Sequence, residues 1–331
     1  MDEPLLKIHW ERFKAHVALD IATAARLLAP YTTITIAKLT LLSEGCANTN
    51  YKVTFSNHDT PVVIRIYVRE QSALAREAVL HHRVAPFIPV AKHLYTDDTC
   101  THFPYAYAVM EWIDGKLMRD IILTQNEKAI ADCAFDAGQY LNQLRSIRFA
   151  QGGFFEDNLR IRPFHPDEEY FPYVMMLLED NIVRSSLGET LRKAVLQLVT
   201  ENHFILPDIN EANLTHSDYD PANMLAKQMG DTWKIAAILD WEFAFAGTYL
   251  LDIGLMLRYS HKLPDCYEKN FIKGIETSGS PLPANWKKQA KLMDLLCLLQ
   301  LTHYNPVEER PNTNKDVVSL IAYTVKNWNQ F

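Results

Sequence analysis

The amino-acid sequence predicts an α+β fold, with strands near the N-terminus and mainly helices in the rest of the chain. Residues 34–39 and 51–55 alternate apolar and polar side chains, and residues 62–68 are largely β-branched, which is typical of strands. Beyond Gly115, apolar residues recur at helical spacing, as in residues 130–144. This change of periodicity predicts a sheet confined to the first third of the chain.

The other elements are predicted from the same local patterns. Residues 1–30 should be helical, with Asp20 as an N-cap, and nothing in them indicates chemistry. Residues 105–115 should form a strand that ends in a glycine turn. Further helices are predicted over residues 71–80, 191–199, 291–301 and 317–328.

Composition limits the possible classes of function. The chain has 331 residues, 48% of them hydrophobic and 22% charged, as expected for one large or two medium globular domains. Its net charge of -7 argues against a general nucleic-acid binder, which needs a basic face. The same charge is compatible with a cationic small-molecule partner, although mild acidity also serves solubility.

Cysteine usage and the chain start indicate a cytoplasmic protein. The chain has five cysteines, an odd number, and they are widely spaced and form no Cys-x-x-Cys pair. We therefore expect reduced thiols and no zinc site. The first residues lack the basic start and apolar core of a signal peptide, and no run of 18 apolar residues exists. A membrane partner is therefore not expected.

One cation interrupts the apolar strand over residues 62–68. Arg65 would share a strand face with Val63 and Tyr67. Burying an unpaired charge costs several kcal/mol, so such an arginine is usually functional or paired. An exposed arginine on an edge strand is the alternative.

Residues 216–225, followed by Asp240, suit a divalent cation and a phosphate. Mg²⁺ prefers oxygen ligands, so Asn223 and Asp240 are candidate metal ligands. Asp218, five residues before Asn223, is the candidate for the carboxylate that orients a hydroxyl group and accepts its proton. Pro221 lacks an N–H and restricts its own φ, which predicts a stiff turn within the loop.

The pattern that carries a family likeness is His216-Ser217-Asp218, Pro221 and Asn223, followed by Asp240-Trp241-Glu242. It resembles the aminoglycoside phosphotransferase and choline kinase family, whose fold is protein-kinase-like and whose loop is His-Gly-Asp-x-x-Pro-x-Asn. Ser217 replaces the usual glycine. The resemblance implies that Asp218 is the catalytic base and that Asn223 and Asp240 bind Mg²⁺, in the order and spacing of the kinase template.

The resemblance also implies two lobes. Residues 1–112 would form an N-terminal nucleotide-binding lobe built on a small antiparallel sheet. Residues 113–331 would form a larger, mainly helical lobe that carries catalysis and acceptor binding. ATP is the implied nucleotide, with GTP left open, and Mg²⁺ the implied metal.

Nucleotide-binding residues follow from the same likeness. Arg65 would hold the α- and β-phosphates, positioned by Glu77, with Glu70 as the alternative partner. The loop over residues 43–50, with Ser43 and Asn48, would cover the phosphates, although it contains one glycine and fails the Gly-x-Gly-x-x-Gly pattern.

Two further roles are implied beyond the phosphates. Backbone groups near Glu111 and Ile113 would meet the edge of the adenine where the lobes join. Asp252 would brace the catalytic loop.

Three functions are compatible with these residues: a small-molecule kinase, a protein kinase, and a nucleotide-binding protein without turnover. From position 147 to 216 there are 69 residues, where protein kinases have a short connection, and from Asp240 to Asp252 there are 12, too few for an activation segment. Both lengths resemble the small-molecule branch. All the expected catalytic residues are also present, which disfavours a protein without turnover.

The acceptor and the oligomeric state stay open. The acceptor could be aminoglycoside-like, an amino alcohol or a sugar. Two groups of side chains could recognise an amine: the acidic residues of the segment 156–169 and the aromatic residues Trp241, Phe243, Phe245 and Tyr249. A solvated acidic surface and an aromatic core are the alternatives.

Overall fold

A five-stranded antiparallel sheet forms the N-terminal part of the protein. The computed structural model describes residues 5–42, 47–57, 60–209, 211–279 and 281–331. The elements of this part are α1 (Ile21–Leu28), β1 (Ile36–Leu42), β2 (Thr49–Phe55), β3 (Val62–Ile66), α2 (Ala73–Val84), β4 (His93–Asp97) and β5 (Tyr107–Glu111). Their order in the sheet is β1-β2-β3-β5-β4.

The two faces of this sheet are covered by different helices. Ile64 and Ile66 of β3 pack in a cluster with residues of α1, whereas Val63 packs beside residues of α2. Alternate side chains of a strand point to opposite faces, so Arg65 lies on the α2 side. Because β3 is paired on both edges, Arg65 is held deep in the sheet and is only 6% exposed.

The rest of the described chain is mainly helical, which confirms the predicted α+β class. Its elements are β6 (Lys116–Leu117), α3 (Met118–Leu123), α4 (Glu127–Leu144), β7 (Gly153–Phe155), β8 (Ile161–Pro163), α5 (Tyr170–Glu179), α6 (Asn181–Asn202), β9 (Asn213–Thr215), β10 (Met224–Met229), β11 (Thr232–Ile238), β12 (Phe245–Gly247), α7 (Leu250–Met256), α8 (Cys266–Glu276), α9 (Trp286–Tyr304) and α10 (Pro311–Lys326). Two small sheets accompany them, ordered β11-β10-β6 and β8-β7-β12-β9.

Helices α4 and α8 pack closely and support the loop that precedes β10. A Cβ atom on Gly138 of α4 would collide with the backbone carbonyl oxygen of Phe271 of α8, so only glycine permits this approach. The hydroxyl group of Tyr219 donates a hydrogen bond of 2.7 Å to the carbonyl oxygen of Ala137. The loop is thereby anchored to the helical core.

The N-terminal segment differs most from its prediction. Of residues 1–30, only Ile21–Leu28 is helical, with Asp20 as its N-cap as expected. The helical prediction is wrong for residues 5–20, where Lys7 has a positive φ of 61° that an α-helix does not allow. These residues instead lie along the helical part and reach the sheet.

Short strands were also missed, as were β10 and the helices α3, α5, α7 and α8. β4 and the two- and three-residue strands of the small sheets were not predicted, because so few residues carry too little periodicity to be recognised. β1 begins at Ile36, two residues later than the predicted strand.

Within the described residues, none of the helices combines the length and apolar character needed to cross a bilayer.

Candidate active site

A cavity of about 810 Å³ lies between the N-terminal sheet and the helical part. The site residues predicted from the sequence that line it are Asn48, Arg65, Glu77, Glu111, Ile113, Asp218, Asn223 and Asp240. Ser43 lies outside the described residues. The cavity therefore brings together side chains from β3, α2, β5 and the two polar loops around β10 and β11.

The loop that follows β9 is shaped by Asp252 of α7. Its two carboxylate oxygens accept hydrogen bonds from the backbone N–H groups of His216 and Ser217, each at 2.8 Å. Ser217 has a φ of +67°, in the left-handed region that favours glycine. This conformation gives a physical reason why glycine suits the position and why a small residue occupies it here.

His216 connects this loop with the strand end that carries Asp240. Its Nε2 lies 2.9 Å from the carbonyl oxygen of Leu239, and its Nδ1 accepts the backbone N–H of Asp218 at 3.2 Å. These partners require a neutral ring with the proton on Nε2. Burial lowers the pKa of His216, in agreement with a neutral structural role.

Asp218 and Asn223 are fixed to each other. The side-chain nitrogen of Asn223 donates to the carbonyl oxygen of Asp218 at 2.9 Å and to its Oδ2 at 2.7 Å. Leu239 donates its backbone N–H to the carbonyl oxygen of Asn223 at 2.8 Å, which places Asp240 next to this pair. Because the amide nitrogen is occupied, the Oδ1 atom of Asn223 is the one left to meet a cation.

Lys7 reaches the same loop from the N-terminal segment. Its Nζ lies 2.9 Å from Oδ1 of Asp218 and 2.8 Å from Oδ2 of Asp220. Burial alone would raise the pKa of Asp218, but the adjacent Lys7 ammonium holds it below the usual value. Sequence reasoning missed Lys7, because the residues around it show no pattern that points to a partner 211 positions away.

Arg65 lies between two carboxylates. Its Nη1 forms an ion pair with Oδ1 of Asp240, and its Nε lies 3.5 Å from Oε2 of Glu77. Glu70, the alternative partner, pairs instead with Arg76 at 2.7 Å. Among the described residues, Nη2 of Arg65 has no hydrogen-bond partner, so a buried donor remains for an anionic ligand.

Glu77 is held ionised by its surroundings. It is 1% exposed, and its Oε2 accepts the hydroxyl group of Tyr67 at 2.5 Å while its Oε1 accepts the backbone N–H of Trp241 at 3.3 Å. Burial alone would raise its pKa, but Arg65, His81 and the hydroxyl group of Tyr67 lower the pKa of Glu77 to about 2. Glu77 therefore links α2, β3 and the segment that carries Asp240.

Asn48 has both ends of its side-chain amide engaged. Its nitrogen donates to Oε2 of Glu242 at 3.1 Å, and its oxygen accepts the backbone N–H of Val68 at 3.1 Å. Burial raises the pKa of Glu242 to about 7. At this position the loop before β2 can therefore offer its backbone groups to a phosphate, because the side chain of Asn48 is already engaged.

The hinge residues lie where the chain leaves the sheet. Glu111 is the last residue of β5 and donates its backbone N–H to the carbonyl oxygen of Lys92 at 2.9 Å. Ile113 follows it and also lines the cavity. Both are at the edge of the cavity that is bounded by β5.

Apart from Phe243, the described residues suggested for amine recognition do not line the cavity. Of the acidic residues, Glu156 pairs with Arg160 at 2.7 Å and Glu168 with Arg162 at 2.9 Å, and neither lines the cavity. The side chain of Asp157 lies outside the described residues. Of the aromatic residues only Phe243 lines the cavity, while Trp241 and Tyr249 are buried in the core. The core alternative is therefore correct for those two.

The oxygen atoms near Asp240 fit a magnesium ion. Asn223 offers one amide oxygen and Asp240 a partly exposed carboxylate, and Mg²⁺ typically takes one or two carboxylates and keeps waters and phosphates as its other ligands. In the part of the chain that the structure describes, no three His, Cys, Asp or Glu side chains form a complete metal cage. These two oxygen donors would leave the remaining positions of a bound Mg²⁺ to waters or phosphate oxygens.

Comparison with models of known protein families identifies a family for this chain. A family model described as the phosphotransferase enzyme family matches residues 38–286. A comparison with curated proteins found no match.

Three solved structures share the fold. An aminoglycoside phosphotransferase, APH(4)-Ia, solved with AMP-PNP and hygromycin B, is 14% identical with a TM-score of 0.67, covering 92% of this chain and 98% of its own. A candidate aminoglycoside phosphotransferase from Ralstonia eutropha JMP134 is 15% identical, with a TM-score of 0.68 and coverages of 94% and 98%. A candidate fructosamine-3-kinase from Thermobifida fusca YX-ER1 is 16% identical, with a TM-score of 0.58 and coverages of 92% and 100%.

At these identities the likeness shows the fold. It confirms the predicted protein-kinase-like arrangement of an antiparallel sheet and a larger helical part. The boundary at residues 112 and 113 stays a prediction, with β5 ending at Glu111.

Proposed function

This chain belongs to the phosphotransferase enzyme family and is a small-molecule kinase, and we propose that it transfers the γ-phosphoryl group of ATP to a hydroxyl group of a small molecule by in-line displacement. GTP is the alternative nucleotide. The observation that carries the proposal is the convergence of Asp218, Asn223, Asp240 and Arg65 on one cavity.

Asp218 is the proposed base. It orients the acceptor hydroxyl group and accepts its proton as the oxygen attacks the γ-phosphorus and the bond to the bridging oxygen of the nucleotide breaks, leaving ADP. The hydrogen bond from Asn223 and the ion pair with Lys7 support this role, because they hold the carboxylate ionised and in one orientation. Most of the acceleration would come from positioning and electrostatics.

Asn223 and Asp240 are the proposed magnesium ligands. The ion would neutralise the phosphate oxygens when it is bound. Arg65 would then move its ion pair from Asp240 to the phosphates, with Glu77 retained as the partner that keeps it in place. The unpartnered Nη2 of Arg65 supports this assignment, since a guanidinium can bind phosphate through two N–H groups.

The nucleotide base would lie against the end of β5. Backbone groups near Glu111 and Ile113 are the proposed contacts to adenine, and both residues line the cavity. The loop with Ser43 and Asn48 is the proposed cover for the phosphates. Asn48 would contribute its backbone, because its side chain already binds Val68 and Glu242.

The acceptor side favours a neutral or singly charged hydroxyl compound over a polyamine. Helix α9 supplies Gln300 and Tyr304 to the cavity wall, and the N-terminal segment supplies Trp10. Among the carboxylates that line the cavity, Glu11 accepts from the N-terminus of α10 and Asp218 pairs with Lys7, so neither is an unpaired counter-charge for an amine. A sugar or an amino alcohol therefore fits better than an aminoglycoside with several ammonium groups.

ADP release in the presence of Mg²⁺ and ATP tests the proposal across a panel of sugars, choline, homoserine and aminoglycosides. We expect turnover with at least one neutral or singly charged member, lowered at least about 100-fold in Asp218→Asn. Asp265→Asn, on the exposed start of α8, is the matched control. Binding of ATP without ADP release, or turnover only with a protein substrate, would refute the proposal, and an Asp218→Asn rate equal to wild type would refute the mechanism.

A further inference from the structure

Residues 5–17, here called the N-terminal strap, cross the cavity from the helical part to the sheet. Trp10 donates its indole N–H to Oδ2 of Asp316 in α10 at 2.8 Å, and Glu11 accepts the backbone N–H of Thr313 at 3.0 Å. At the other end, Val17 donates its backbone N–H to the hydroxyl group of Thr49 in β2 at 3.1 Å. The strap is thus tied to both sides of the cavity.

Lys7 is the residue of the strap that meets the proposed chemistry. Its side chain is 12% exposed, and one nitrogen is within 3 Å of carboxylates from both Asp218 and Asp220. Without Lys7 these two carboxylates would repel each other across a short loop. Arg258, another cation that lines the cavity, is bound to Asp294 at 2.7 Å. In the described chain, Lys7 is the cation that pairs with this loop.

The contact leaves Asp218 accessible. Lys7 binds Oδ1 and Asn223 binds Oδ2, and each carboxylate oxygen can accept a second hydrogen bond. The side chain of Asp218 is still 28% exposed, and it lines the cavity. An acceptor hydroxyl group can therefore reach Asp218 while Lys7 stays in place. Lys7 thus holds the carboxylate without blocking access to it.

We propose that Lys7 is a positioning residue of the phosphoryl-transfer site: the strap supplies an ammonium group that fixes Asp218 and Asp220 in the orientation used in catalysis. The inference rests on the proposed function, since it assigns a partner to the proposed base. It also means that the site is incomplete without the strap.

The decisive variant is Lys7→Met, which keeps the length of the side chain and removes its charge. We expect kcat to fall about 100-fold for the member of the panel that wild type turns over fastest, because a small misplacement of a catalytic group has an effect of this size. The KM for Mg·ATP should change less than about 3-fold, because Lys7 contacts the loop and the strap and not the residues proposed for the nucleotide. Lys7→Arg should recover most of the rate, since it restores the charge.

Lys14→Met is the matched control, because Lys14 lies in the same strap, is exposed and has its ammonium group over the ring of Phe13. Circular dichroism and the melting temperature of each variant establish that the fold is retained. A structural role alone would lower the melting temperature and the rate together, without rescue by Lys7→Arg, and would overturn the inference.

The remaining outcomes are also informative. A rate that rises in Lys7→Met would show that Lys7 blocks the base, and an unchanged rate would show that the ion pair is incidental; either result overturns the positioning role. A wild-type protein that releases no ADP with any member of the panel overturns the proposed function itself and this inference with it, whereas active wild type with unaffected Lys7→Met overturns only the inference.

Discussion

The side-chain nitrogen of Asn223 lies 2.7 Å from Oδ2 of Asp218, so one amide orients the proposed base and keeps its own oxygen available for the proposed metal ion. Two functions thereby depend on a single side chain. The pair lies in one loop, and the backbone hydrogen bond between Leu239 and Asn223 aligns it with Asp240.

Replacement of Asn223 by alanine should affect both functions. We expect kcat to fall at least about 100-fold, because Asp218 loses its orientation and a metal ligand is removed. The Mg²⁺ concentration needed for half-maximal rate should rise as well. Steady-state assays of ADP release at several Mg²⁺ concentrations measure both effects; a lower kcat with an unchanged Mg²⁺ requirement would remove Asn223 from the metal site.

Replacement of Arg65 by lysine should weaken nucleotide binding while keeping the charge. Lysine cannot present two parallel N–H groups to phosphate, so we expect the dissociation constant of Mg·ATP to rise about 10-fold. Isothermal titration calorimetry measures it directly. Arg76→Lys, at the exposed pair with Glu70, is the control and should bind as wild type does; equal affinity of Arg65→Lys would contradict the phosphate role.

Glu77→Gln should destabilise the protein in a pH-dependent manner. Removing one partner of a buried ion pair costs about 3 kcal/mol, since Arg65 keeps its charge. The pKa of Glu77 is about 2 in the folded protein, below its ordinary value of 4.5, so its stabilisation is present above pH 4.5 and is lost as the pH falls toward 2.

Urea denaturation of wild type and Glu77→Gln from pH 7 downward tests this sign. The difference in free energy of unfolding should be constant near neutral pH and should shrink below pH 4.5. A difference that grows on acidification would mean that burial, rather than Arg65, dominates the titration of Glu77.

Ser217 should tolerate glycine and reject a branched side chain. Its φ of +67° costs a β-branched residue about 1–3 kcal/mol, whereas glycine adopts it freely. We expect Ser217→Gly to keep wild-type stability within about 1 kcal/mol and Ser217→Val to lose more, with its rate reduced because the loop shifts. Equal stabilities in urea denaturation would indicate that the loop relaxes out of the left-handed conformation.

Much of the catalytic loop could be predicted from the sequence, because its chemistry depends on local spacing. Asp218 and Asn223 lie five residues apart in one turn, and Asp240 ends the hairpin that begins at Asn223, so the chain between them has little freedom to separate them. The helices α2, α4, α9 and α10 were likewise predicted, since each has an apolar face that repeats along its length.

The ends of elements and the short strands could not be predicted. β4, β6, β7, β8, β9 and β12 have too few residues to carry a periodic signal, and β6 and β12 also pair with strands that are distant in sequence. The N-terminal residues illustrate the opposite error. Their helical pattern is real in Ile21–Leu28, but before it the contacts of the strap with α10 and β2 outweigh local propensity.

The sequence by itself determined the α+β class, the family likeness and the loop that carries Asp218, because these are encoded by neighbouring residues. Only the tertiary structure decided that Arg65 pairs with Asp240 as well as with Glu77, that the described acidic residues of the segment 156–169 do not line the cavity, and that Lys7 lies against Asp218. A contact across 211 residues leaves no local pattern, since it exists only once burial and packing have brought the two ends together.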